Sequence, residues 1–143
     1  MANGPHDVGP PHCVPLPAAA RYRQKAVRAL SFDGSTLTLD VQGEGFSFAR
    51  VVFRTVFGFR VLDERDLTEF WNAYSQDNGW LWEVQSGGWH DQERRRPTFN
   101  PGEFIGGLRE FFVVDEKCVS VLCYEPPEIV DLGADPPGAG RST

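Results

Sequence analysis

The dipeptide Asp33-Gly34, set in "VRALSFDGSTLTLDV", constrains this chain more than any other feature. Glycine accepts the positive φ that a primed hairpin turn requires, so Asp-Gly between two apolar-alternating runs reads as a β-hairpin. A turn centred there pairs Phe32 with Ser35, Leu30 with Leu37 and Arg28 with Leu39. Leu30 and Phe32 then share a face with Leu37, Leu39 and Val41. Turn chemistry and hydrophobic pattern point to the same register, and the domain opens as an antiparallel pair.

The period of two continues. In "GEGFSFARVVFRTVFGFRVL", Val51, Phe53, Phe57, Phe59 and Val61 take odd positions and Arg50, Arg54 and Arg60 even ones, interrupted at Thr55. This describes strands with one buried and one wetter face, and Gly58 predicts a bend, a bulge or two strands in succession. "DERDLTEFWNAYSQDNG" changes period. Leu67, Phe70, Trp71 and Tyr74 follow the i, i+3, i+4, i+7 spacing of a helix, started by Asp66 with Glu69 and ended by Asn78-Gly79. In "WLWEVQSGGWHDQERRRPTF", Trp80–Gln85 alternates as a strand and Ser86-Gly87-Gly88 reads as a turn. If the loop is Ser86-Gly87, Val84 faces Trp89 and Glu83 faces His90, stacking three tryptophans and a valine on one side; a Gly87-Gly88 loop loses the Glu–His pair. Pro97–Gly107 reads as a loop. Strands Glu110–Val114 and Cys118–Tyr124 close a last hairpin around Asp115-Glu116-Lys117. The expected fold is α+β: a mainly antiparallel, curled or barrel-like sheet of six or seven strands with one short helix.

A chain of 143 residues with 13% aromatics can bury a core as one domain without staples. That domain is expected over 25–130, between a Pro-rich flexible segment 1–24 and a Pro/Gly-rich one, 131–143. A net charge of −6 argues against nucleic-acid binding, which needs cationic surface, and suits a basic protein partner. No run approaches the roughly 20 apolar residues of a membrane helix, and no secretory signal pattern is present. Three cysteines without disulfide-framework spacing fit a reducing, cytoplasmic setting.

The chemistry-bearing residues are few. His6, His12 and Cys13 lack the paired spacing of a structural zinc site, and no metal is expected. Cys118 and Cys123 are five apart on a strand, so they point to opposite faces and share neither metal nor disulfide. No nucleophile elbow, phosphate cradle or cofactor fingerprint occurs, and no cofactor is expected. His90, oriented by Glu83, is the weak candidate for a general base; the plainer reading is a solvent-facing histidine beside a turn. Arg94, Arg95 and Arg96 fit a carboxylate or phosphate clamp, against the plainer reading that they offset Asp91 and Glu93. Trp80, Trp82 and Trp89 with His90 and Arg94–Arg96 form the candidate binding surface, because interfaces favour Trp and Arg; the alternative is core.

"VFGFRVLDERDLTEFW", "GWLWEVQSGGW" and "CVSVLCYEPPEI" together resemble small bacterial β-rich proteins, some similar to immunity proteins of polymorphic toxin systems. The resemblance carries no diagnostic motif and transfers no site residues; it implies a cytoplasmic protein that binds another protein. Protein–protein contact is therefore the leading expectation. A barrel-like domain with a Trp-lined small-molecule pocket comes second, and a small enzyme centred on His90 third. A homodimer through an uncovered sheet edge is compatible with each.

Overall fold

The computed structural model describes residues 9–20, 24–44, 47–70, 74, 79–99 and 107–134. Nine strands form two antiparallel sheets: β1 (His12–Pro15), β2 (Gln24–Phe32), β3 (Leu37–Gly43), β4 (Phe48–Phe53), β5 (Gly58–Asp63), β6 (Leu81–Ser86), β7 (Arg109–Val113), β8 (Lys117–Cys123) and β9 (Glu128–Gly133). One sheet runs β1-β6-β7-β8-β5, the other β2-β3-β4-β9. Leu37, Leu39, Val41, Val51 and Phe53 of the second sheet pack on Leu81, Phe111, Val113, Val119 and Val121 of the first. The architecture is thus two facing sheets and not a closed barrel, and the described residues form nine strands where six or seven were expected. Aromatic and β-branched side chains on alternating positions account for both inner faces.

The first hairpin forms with its faces as expected but its register two residues wider, Phe32 opposite Leu37 and Leu30 opposite Leu39. Asp33 is the cause: its Oδ1 accepts from the Ser35 and Thr36 N–H groups at 2.9 and 2.7 Å, favouring a four-residue loop over the tight turn. A shift of two leaves every side chain on its own face. The long apolar run breaks at Thr55, a non-glycine residue with φ 53°, where the chain leaves one sheet for the other.

Two of the expected boundaries move. His12–Pro15 pairs with β6, and Cys13 and Ala19 are buried, so the segment read as a flexible N-terminal tail supplies an edge strand. At the other end β9 runs to Gly133, past the expected limit at 130. Residues 1–8 and 135–143 lie outside the described residues.

The helix expected from Asp66 is only partly within the described residues. What is described are two 3-10 turns, Glu64–Asp66, capped by Asp63 accepting from the Arg65 N–H, and Thr68–Phe70. Leu67, Phe70 and Tyr74 still face one cluster, on the outer side of the five-stranded sheet with Trp82, Val84, Phe112, Val114 and Cys118.

The return strand expected after Ser86-Gly87-Gly88 does not exist. A six-residue helix, α1 (Trp89–Arg94), follows instead and lies over the sheet's outer face. Gly87 sits at φ 75°, and a Cβ there would run into the backbone carbonyl of Pro10. Gly87→Ala therefore combines a left-handed strain with a backbone collision. We expect a loss of about 2 kcal/mol or more, read as a lower urea midpoint at unchanged m-value; an unchanged midpoint would show that the Pro10 segment yields freely.

Candidate functional site

The tryptophans do not form one surface. Trp80 is buried between the sheets and donates from Nε1 to the Ala19 carbonyl at 3.1 Å. Trp82 is buried on the opposite side, edge-on to Tyr74 at 5.0 Å, and its Nε1 has no partner. Trp89 is half-buried on α1 and donates from Nε1 to Glu93 Oε1 at 3.1 Å, with the Arg60 guanidinium over its ring at 5.0 Å. Residues that alternate along a strand share a face, but Trp80 precedes β6 and Trp89 follows it, so neither obeys the strand's parity.

His90 and Glu83 are likewise apart. Glu83 stands opposite Phe111 on the inter-sheet side and binds Arg109 through two bonds of 2.7 Å. His90 belongs to the helix on the outer face. Burial, with Arg94 nearby, holds its imidazole below the usual range. The arginines meet local acids: Arg96 bonds Glu93 at 2.7 Å and Arg94 lies 3.6 Å from Asp91, both at i, i+3, while Arg95 is exposed. These are surface pairs of small energetic weight.

A residue not singled out from sequence organises this region. Glu110, 2% exposed on β7, accepts from the His90 and Trp89 N–H groups at 2.8 and 3.2 Å. The helix N-cap is Gly88, which has no side-chain oxygen, so the carboxylate of a neighbouring strand takes its place. The close fit is visible at Gly88, where a Cβ would come within 2.8 Å of Glu110 Oε1. Burial pushes the Glu110 carboxyl up to about 7, against the opposing pull of the two N–H donors and Arg60. Its sequence signal was the strand "REFFVV": Glu110 shares parity with Phe112 and Val114, on a strand with no polar face.

Two further features were missed. A cavity of about 300 Å³ lies among Leu67, Phe70, Tyr74, Phe112, Val114 and Cys118, with Glu64 at its exposed rim. The other is an open side of the sandwich. β2 and β5 each end a sheet, and they come together there through Phe32 and Phe59, rings 5.0 Å apart, and through the Val56 N–H donating to Ser35 O at 2.8 Å. Along this side Leu30, Phe32, Phe57 and Val61 are 37%, 43%, 42% and 44% exposed.

The thiols Cys13, Cys118 and Cys123 are all free and buried, and burial pushes them up, Cys13 to about 12 and Cys123 to about 11. Cys118 and Cys123 point to opposite sides of the sheet, as their spacing predicted. Among the described residues no three His, Cys, Asp or Glu side chains gather as metal ligands, and no helix is long and apolar enough to cross a membrane. His12 is exposed on β1 and His6 lies outside the described residues.

The fold and these surfaces define a two-sheet antiparallel α+β protein with a partly exposed apolar side where β2 and β5 meet. No protein-family model, curated protein or solved structure matches the chain.

Proposed function

We propose that this is a binding protein that acts by protein–protein contact, and that the β2/β5 edge is its contact surface. The observation that carries the reading is that Leu30 and Phe32 of β2 and Val61 of β5, with Phe57 just before β5, are large apolar side chains left more than a third exposed along two adjacent edge strands. Edge strands present unpaired backbone N–H and C=O groups, and natural proteins usually blunt them with charge or proline. Here the side chains beside the free backbone are Leu30, Phe32, Phe59 and Val61. An extended segment of a partner can add to β5 through main-chain bonds while its side chains enter the groove between the sheets. The net charge of −6 favours a basic partner by steering its approach. The resemblance of 56–71, 79–89 and 118–129 to immunity-like bacterial proteins supports a finer reading, in which contact neutralises the partner.

Photo-crosslinking tests the surface directly. A crosslinking residue at position 61 is expected to join a partner chain in lysate of the source cells. The same residue at Val130, which is 38% exposed on the edge strand β9, is expected not to. Phe32→Glu with Val61→Lys should abolish the crosslinked species while leaving the thermal unfolding midpoint within a few degrees, since both side chains are already solvent-exposed. Equal crosslinking from position 130, or capture that survives the double substitution, would overturn the assignment. A crosslink between two copies of the chain would make the occupant a second protomer.

A further inference from the structure

We propose that the cavity beneath the two 3-10 turns is a binding site for a small neutral apolar molecule of single-ring size, such as an alkylbenzene. It does not rest on the β2/β5 surface, from which it differs in residues and in face of the sheet.

The chamber is held open by its frame. Its floor is Phe112 and Val114 at the end of β7 with Cys118 of β8, and the ladder pairs Phe112–Ser120 and Leu62–Cys118 fix that floor in the sheet. Its roof is Leu67 and Phe70, with Phe70 stacked on Phe112 at 4.3 Å and 22°. The roof is tied down at two ends. The Glu64 N–H donates to the Glu116 carbonyl at 3.0 Å and Lys117 reaches Asp63 at 3.1 Å, while the Tyr74 hydroxyl accepts from the Cys13 N–H at 3.1 Å. Interiors packed to ordinary density hold few voids larger than a water molecule. A volume of about 300 Å³ between elements pinned in this way has the size of a small ligand pocket, and an apolar cavity of roughly half that size takes benzene.

The walls choose a neutral occupant. Among the described residues of the lining, Leu67, Phe70, Phe112 and Val114 are hydrocarbon or aromatic. The polar ones are already engaged. The Tyr74 hydroxyl is taken up by β1, the Cys118 thiol donates to the Asp115 carbonyl at 3.3 Å, and Glu64 at the exposed rim has an interaction of its own. A hydroxyl or a charge carried into the chamber would therefore lose its water shell without a compensating bond. Water meets the same want of partners, so an apolar group that displaces it gains affinity. The rings of Phe70 and Phe112 add edge or face contacts for an aromatic body.

The test titrates toluene, phenol and benzylammonium into the isotope-labelled full-length protein and follows amide and methyl resonances. Toluene is expected to give saturable shifts centred on Leu67, Phe70, Phe112, Val114 and Cys118. Phenol has nearly the same shape and should bind about tenfold more weakly, for want of a partner for its hydroxyl, and benzylammonium more weakly again. Val114→Phe, which fills the chamber from the floor, should abolish the toluene shifts. Leu67→Phe fills it from the roof and serves if the first variant does not fold. No saturable shift with toluene, phenol or benzylammonium binding as tightly as toluene, or toluene shifts that persist in a folded, filled variant would each overturn the proposal. None of these outcomes bears on crosslinking at position 61, so the two readings fail separately.

Discussion

Phe111→Ala is expected to cost about 3–5 kcal/mol, enough to remove much of the stability of a domain this size. Phe111 is 0% exposed on β7, the middle strand of the five-stranded sheet, between Glu83 on β6 and Val121 on β8. Its ring reaches across the sandwich to Phe53 of β4, 6.1 Å between centroids, so one side chain joins both layers. Truncation opens a cavity that strands on either side cannot collapse into, because their own registers are held by ladder hydrogen bonds. The guanidinium of Arg109, 5.5 Å from the ring, also loses its aromatic neighbour. Urea unfolding followed by tryptophan fluorescence measures the loss, with Trp80 and Trp82 reporting the two sides of the same sheet. A cost below about 1.5 kcal/mol would mean that the sheets slide together to fill the space, a behaviour expected of volume-conserving swaps and not of Phe to Ala.

Stability should also fall as pH rises, through Glu110. The carboxyl titrates near its ordinary value of about 4.5 in the unfolded chain and is pushed up to about 7 in the fold. Below about pH 4.5 both states hold the proton. Between the two values only the folded state holds it, so unfolding releases a proton and rising pH favours unfolding. Above about pH 7 both states are ionised, and the fold carries the full cost of a buried charge. At 1.36 kcal/mol per unit the effect is about 2–3 kcal/mol between about pH 5 and pH 8. Glu110→Gln removes the titration, so the stability difference between the variant and the natural chain should change by that amount over the same range. Asp91 raises and Arg60 lowers the same titration, while the His90 and Trp89 N–H groups stabilise the ionised form. Parallel pH profiles for the two proteins would show that the carboxylate stays ionised throughout.

The same carboxylate explains where sequence reading stopped. Alternation of apolar and polar residues and the turn at Asp33-Gly34 were enough for the β2–β3 pair, for β7–β8, for the faces of β4, and for the opposite placement of Cys118 and Cys123; on β5 the expected buried face leaves Val61 44% exposed, while Arg60 on the expected wetter face lies over the Trp89 ring. These are local matters: side-chain period and turn chemistry act within a few residues. The arginines at 94 and 96 meeting Asp91 and Glu93 were legible for the same reason.

What came from tertiary structure alone depends on partners distant in the chain. Ser86-Gly87-Gly88 looks like a hairpin turn until Glu110, more than twenty residues later, supplies the oxygens that start α1 in place of a return strand. His12–Pro15 looks like a Pro-rich tail until β6 offers it an edge. Trp80 and Trp82 share a parity in sequence and a Ser86-Gly87 turn would set Trp89 beside them, yet the first precedes β6, the second lies within it and the third follows it on a helix, and only packing assigns each its environment. The open edge and the cavity are of this kind too. Periodicity says which residues face a core; it is the pairing order of strands that decides which of them the core leaves uncovered.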